Sequence, residues 1–331
     1  MWIQVPAPLL LAVMQSPTRW LLGVVLGVLA VLSLLGRFLR ERPEGTVNPA
    51  LVRKFNQRMR AWWLMTAILV AAMLLGRNGA MVLFFCLSFW ALREFITMTP
   101  TRRGDHRALF WVFFLCTPLQ YVLVAMGQGW YGVYSIMIPV YASLFVPARI
   151  TISGDPKRFL ERSAKIQFGL LICVYALSYA PALLTLELKV NNAPWKGDYS
   201  GLLFYFFLIV QLGDLLQFAW DKLVGKTVIA PAINASRTWE GFIGGVLSMA
   251  ILGITLKWVT PFGYVEAAVL SATVAVMGFC GAMTMSAIKR DRGVTDYGTL
   301  VQGHAGLLDR IDSLCFAAPV FYHMVRFLYH G

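Results

Sequence analysis

Long apolar runs separated by short basic loops set the frame for what this chain can fold into. Ten stretches, at about 20–36, 61–76, 79–97, 108–126, 131–147, 166–187, 201–219, 241–259, 264–288 and 313–329, reach or nearly reach the roughly 20 apolar residues a helix needs to cross a bilayer. Inside lipid a backbone must satisfy its own hydrogen bonds, so such runs are read as helices. Only 14% of the residues are charged and 58% are hydrophobic, whereas soluble domains carry about 25% charged residues. The expected fold class is all-α: a polytopic integral membrane protein with about ten transmembrane helices. The second and fifth runs are short, which keeps nine open. Residues 1–165 read as an N-terminal transmembrane region, and 166–331 as a second transmembrane region that carries the polar groups.

The net charge of +13 would suggest nucleic acid as a partner in a soluble chain. Here the placement of charge matters more, and no nucleic-acid partner is expected. Lys and Arg concentrate in alternate loops, at 37–60, 93–107, 149–165, 222–237 and 289–310. Of the 29, only Arg19, Arg77, Lys189, Lys196, Lys257 and Arg326 lie elsewhere. The positive-inside rule makes the rich side cytoplasmic, with both termini outward. Ten spans fit this alternation, while nine would misplace one basic loop. Pro6 and Pro8 break the first apolar stretch, so no cleavable signal peptide is expected. Cys86, Cys116, Cys173, Cys280 and Cys315 lack metal or disulfide spacing and read as small buried hydrophobes. Trp62, Trp63, Trp111, Trp130 and Tyr131 read as interface anchors. The first half shows no polar cluster within a span, and Arg93-Glu94 reads as a snorkelling pair at a helix end. Residues 191–201 read as an exposed outer turn.

The second half differs. Gln211 and Asp214 lie inside the seventh run, followed by Asp221, Lys222, Gly225 and Lys226. The stretch 233–241 opens the eighth run. Asn234 or Ser236 can cap that helix, whose free N–H groups, with Arg237 and the Thr238 hydroxyl, would suit an anion. The ninth run ends in Ser286, Lys289 and Arg290. A loop at 295–303, a Gly303-His304-Ala305-Gly306 turn, and Asp309, Arg310 and Asp312 at the start of the tenth run follow. A loop that merely orients the protein needs Lys and Arg, but not this density of Asp and His. Ionisable groups between membrane-length runs suggest a functional site. Carboxylates for a divalent metal, cations for phosphates and a cytoplasmic location add up to metal-assisted phosphate chemistry on a lipid, with Mg²⁺ the suitable ion. A transporter would instead place ionisable groups near span midpoints.

The run Ser286-x-x-Lys289-Arg290-x(4)-Thr295-Asp296-x(6)-Gly303-His304-Ala305-Gly306-x-x-Asp309-Arg310-Ile311-Asp312 resembles the signature of the phosphatidate cytidylyltransferases, or CDP-diacylglycerol synthases. Asp214 with Gly225-Lys226, and Arg237-Thr238-Trp239-Glu240-Gly241, resemble two further motifs of that family, in the right order. The detailed resemblance covers about 205–325, and the first 200 residues match only as a generic multi-span region.

The resemblance implies formation of CDP-diacylglycerol and pyrophosphate from CTP and phosphatidic acid, or a related phospholipid. The expected place is the cytoplasmic face of a bacterial inner membrane. It implies Mg²⁺ as cofactor, held by Asp296 and Asp214, and leaves room for a second, monovalent cation and for a homodimer. By the same resemblance Lys289, Arg290, Arg237 and Arg310 hold phosphates. Asp309, Asp312 and His304 shape the turn or orient the ligand, and Asp214, Ser236, Thr238, Glu240 and Ser286 line the substrate side. The pattern departs from the family at Ala282, where a second metal carboxylate is usual, at Thr295 for Lys, at Gln302 for Pro and at Ala305 for Gly. These departures imply weak Mg²⁺ binding and slow turnover, unless Asp214 or Asp221 substitutes. A non-catalytic relative that binds nucleotide or lipid, or acts as a partner subunit, is the alternative.

Overall fold

A computed structural model describes residues 16–40, 49–98, 101–294 and 306–329. Its helices are α1 (Ser16–Arg40), α2 (Pro49–Leu74), α3 (Gly76–Met98), α4 (Arg103–Ala125), α5 (Gln128–Thr151), α6 (Phe159–Thr185), α7 (Tyr199–Leu223), α8 (Trp239–Leu256), α9 (Tyr264–Arg292) and α10 (Leu308–Tyr329). Among the described residues nine helices are long and apolar enough to cross a membrane. This is the all-α, polytopic architecture expected from the apolar runs. The remaining helix is α2, whose apolar part is only Trp62–Leu74, because its first half carries the charges between Arg53 and Arg60. The fifth run, which also looked short, belongs to a full 24-residue span.

The chain divides into two compact units, Met1–Ala80 and Met81–Gly331. In the first, α1 and α2 lie side by side, and Trp63 Nε1 donates to Ser33 Oγ at 2.9 Å. In the second, α8 packs on α7, α9 on α8 and α10, and the end of α6 on α10. Helices α4, α5 and α6 each widen into one π-type segment, at Val112–Cys116, Met137–Ala142 and Leu171–Ala176. Pro118 and Pro139 remove ladder donors there. Thr117 Oγ1 and Ser143 Oγ donate to the carbonyls five residues back, Val112 (2.9 Å) and Ile138 (3.0 Å). Such side-chain donors satisfy carbonyls that a broken ladder would leave bare in lipid.

Two ends of the 81–331 unit emerge from its side-chain contacts. At one, Glu94 meets the start of α10, Arg102 bonds Asp155 at 2.9 Å, and Arg290 Nε donates to the Ile233 carbonyl at 3.2 Å. At the other, Gln128 reaches Thr185 and Tyr322, and Tyr329 bonds Glu266. The basic loops of this unit gather at the first end, as the alternation of charge requires.

Several local expectations are corrected. Cys86 and Cys280 are exposed on their helices, and only Cys116, Cys173 and Cys315 are buried. The first half does carry a buried polar residue within a run, Gln120, and a buried charged pair just outside the runs. Asp105 and Arg162 are buried beside each other, with 3.6 Å between Oδ1 and Nε, and Gln120 Nε2 donates to the Tyr134 carbonyl and to Ser178 Oγ. Periodicity misses these because each lone polar residue finds its partner on another helix. The outer turn is a small hairpin, β1 (Lys189–Val190) against β2 (Ala193–Pro194). Asn191 and Asn192 close it at φ of 51° and 62°, the left-handed backbone that Asn tolerates best among residues with a side chain.

Candidate active site

The link from α7 to α8 builds one wall. Strand β3 (Val228–Ala230) pairs antiparallel with β4 (Asn234–Thr238), and α8 starts directly after β4. Thr238, not Asn234 or Ser236, is the helix cap, accepting from Gly241 N at 3.1 Å. Extended backbone through 234–238 takes the two earlier candidates out of cap position. Asn234 instead accepts from Ser236 N and Oγ, and its Nδ2 donates to Ser286 Oγ at 3.3 Å.

Asp221 organises this corner from the last turns of α7. Its Oδ1 accepts from Thr238 N (2.9 Å) and Thr238 Oγ1 (2.8 Å), and its Oδ2 pairs with Arg237 Nη1 at 3.3 Å. A methyl group on Gly241 would collide with this carboxylate, so only glycine fits there. Glu240 turns back to the α7–β3 loop and accepts from Lys226 N, Thr227 N and Thr227 Oγ1, the last at 2.9 Å. Trp239 N donates to the Thr227 carbonyl at 3.0 Å. The start of α8 thus spends its donors internally. The expected anion site at bare N–H groups is replaced by a rigid corner that holds Arg237.

The second wall is α9 against α10. Close packing lets α10 approach, since Gly281 sits where a Cβ would lie 2.7 Å from the Asp312 carbonyl. Ser313 Oγ donates to Asp214 Oδ1 at 2.9 Å, and Ser313 N donates to Asp312 Oδ1 at 2.8 Å. One serine therefore joins two carboxylates from α7 and α10. The Asn234–Ser286 bond, and Arg290 Nε donating to the Ile233 carbonyl at 3.2 Å, tie this wall to the first. One turn up α10, Lys289 Nζ pairs with Asp309 Oδ1 at 2.8 Å. Helix α9 runs on past Arg290 to Arg292 and ends at Gly293 with φ 68°, the left-handed cap that glycine favours.

So Asp214, Asp221, Arg237, Thr238, Ser286, Lys289, Asp309 and Asp312 come together from three helices and a hairpin. Arg290 joins them through Ile233, and Arg310 lies in the first turn of α10. Ser236 and Glu240 serve the hairpin and its loop. Asp296, His304 and Thr295 lie outside the described residues, and so does the expected closeness of Asp296 to Asp214. Among the described residues no group of three or more His, Cys, Asp or Glu gathers as a metal cage. Mg²⁺ seldom uses such a cage and is usually held by one or two carboxylates with water and substrate phosphates. The Asp214–Asp312 pair fits that need. Asp221 does not offer itself as a substitute ligand, since Thr238 and Arg237 occupy both its oxygens.

Reading the sequence missed Glu94. It is 6% exposed, not snorkelling, and both carboxylate oxygens accept backbone N–H groups at the start of α10: Leu307 N at 3.0 Å and Leu308 N at 2.9 Å. Trp90 Nε1 donates to it as well, at 3.0 Å. The only signal was a carboxylate near a span end, which is too common to single out.

A multi-helix membrane protein with carboxylates and basic groups joined at one end defines the class. The chain belongs to the cytidylyltransferase family, whose family model matches residues 56–328. This reaches far upstream of residue 205, so most of the first 200 residues belong to the resemblance too. A similar protein, "Uncharacterized protein YnbB" of Escherichia coli (strain K12), is 33% identical over 92% of this chain and 97% of its own length. "Phosphatidate cytidylyltransferase" of Staphylococcus haemolyticus (strain JCSC1435) is 24% identical over 76% of this chain and 92% of its own. The protein of the same name from Haemophilus influenzae (strain ATCC 51907 / DSM 11121 / KW20 / Rd) is 31% identical over 46% of this chain and 54% of its own.

Proposed function

We propose that this chain transfers the cytidylyl group of CTP to phosphatidic acid or a related phospholipid, at the cytoplasmic face of a bacterial inner membrane. The observation that carries the reading is the Asp214–Ser313–Asp312 bridge beside the Lys289–Asp309 pair, at the end where the basic loops gather. In the reaction a phosphate oxygen of the lipid attacks the α-phosphorus of CTP. A new P–O bond forms, the bond to the β-phosphate bridging oxygen breaks, and pyrophosphate leaves with that electron pair. Lys289, Arg290, Arg237 and Arg310 would bind the phosphates, and Asp309 and Asp221 orient Lys289 and Arg237 through their ion pairs. Asp214 and Asp312, with Asp296, would hold Mg²⁺, which when bound neutralises the triphosphate and the departing pyrophosphate.

Ala282 lies one turn before Ser286 on α9, and Ser286 Oγ donates to its carbonyl at 2.7 Å. With no carboxylate there, turnover is expected to be slow, and Ala282→Asp combined with Thr295→Lys should raise it. The test is radiolabelled CTP with phosphatidic acid and Mg²⁺ on the purified full chain. Mg²⁺-dependent CDP-lipid and pyrophosphate in equal amounts are expected. Neither product from the parent or from the folded double variant would favour a protein that binds nucleotide or lipid without turnover.

A further inference from the structure

The start of α10 takes its cap from another helix. Helix starts usually take a Ser, Thr, Asp or Asn side chain for their bare N–H groups. Here Ala305, Gly306 and Leu307 precede the helix and offer no side-chain acceptor. The cap comes from Glu94 on α3, 213 residues away in sequence to Leu307, with one oxygen for each of two N–H groups. A buried carboxylate is costly unless its hydrogen bonds are met, and this one is met by three donors. Its negative charge also suits the positive end of the helix dipole.

What this cap controls is rotation. Asp309 and Asp312 follow Leu308 by one and four residues. A helix turns about 100° per residue, so a slip of one residue at the start would swing Asp309 off Lys289 and Ser313 off Asp214. We propose that Glu94 is a positioning residue for the reaction: its carboxylate sets the register of α10 and so the placement of Asp309, Asp312 and Ser313. This role rests on the cytidylyltransferase reading above.

The test compares the full-length parent with Glu94→Gln, which keeps the volume and one acceptor but loses the charge. Three quantities are read: amide hydrogen exchange of the peptide spanning 306–313, Mn²⁺ affinity by electron paramagnetic resonance, and steady-state kinetics. Exchange should quicken in that peptide and nowhere else. Mn²⁺ affinity and kcat should each fall on the order of tenfold, as for other groups that orient metal ligands, with KM for phosphatidic acid unchanged. If Glu94→Gln does not fold, Glu94→Asp, which retains the charge, takes its place with a smaller shift in the same direction. Unchanged exchange, or faster exchange with parental Mn²⁺ affinity, overturns the positioning role alone. A parent that binds no Mn²⁺ and makes no CDP-lipid overturns the functional reading, and the role of Glu94 with it.

Discussion

The two ends of the 81–331 unit are built from different chemistry. At the basic end charge meets charge, as in Lys289 with Asp309, Arg237 with Asp221, and the two carboxylates on Ser313. At the opposite end the network is mostly neutral. The Tyr134 and Tyr322 hydroxyls lie 2.6 Å apart, Gln128 Nε2 donates to Tyr322 at 2.9 Å, and the Tyr179 hydroxyl donates to Tyr175 at 3.0 Å. The Arg326 guanidinium there lies 3.8 Å from the centre of the Tyr131 ring and bonds Gln128. Tyr131, read as an interface anchor, is therefore part of this closure. Neutral hydroxyls bonded to each other close an end of the bundle. The charged end holds the cations and carboxylates that the proposed phosphate chemistry would use.

The contrast can be broken most sharply at Asp214. Asp214→Ala should lower CDP-lipid formation by about 10²–10³-fold, the usual cost of deleting one group that stabilises developing charge, while the protein stays folded. Full activity in that variant would remove the charged end from the mechanism. Asp221 should show its effect in stability as well. Asp221→Ala strands Arg237 and strips Thr238 of its acceptor, so unfolding in detergent should become easier by about 3 kcal/mol. A variant as stable as the parent would show that the corner does not hold the start of α8. At the neutral end, Tyr322→Phe should cost about 1 kcal/mol of stability and leave CDP-lipid formation untouched. A loss of activity there would dissolve the distinction between the ends.

The smallest effect is expected at Asp155, between α5 and α6. The Arg102 guanidinium bonded to it, and the Lys157 N–H, hold its carboxyl below the usual range. Its stabilising contribution is complete above the ordinary aspartate value of about 3.9 and is lost as pH falls through the lowered folded value. Asp155→Asn should therefore be slightly less stable than the parent at neutral pH and indistinguishable from it in strong acid. Thermal unfolding at several pH values would show this convergence, and an offset that persists in acid would assign the loss to something other than the charge.

Sequence by itself located nine spans, because crossing a bilayer takes a fixed length of apolar helix, but it also favoured a tenth at 61–76, where the structure has an apolar stretch of only Trp62–Leu74. It also singled out Asp214, Arg237, Lys289, Asp309 and Asp312, since charged groups beside apolar runs are rare and their spacing matched a family signature. Only the tertiary structure decided what those groups do to one another. That Asp221 belongs to Arg237 and Thr238, that Ser313 joins Asp214 to Asp312, and that Glu94 caps α10 are all contacts between residues far apart in the chain or across a turn of strand. Periodicity and capping rules look only a few residues ahead. They offered Asn234 or Ser236 as the cap because they could not see a hairpin form, and read Glu94 as half of a snorkelling pair because the two backbone donors it serves lie more than two hundred residues away. A hydrogen bond depends on distance in space, and the packing of helices, not their order, sets that distance.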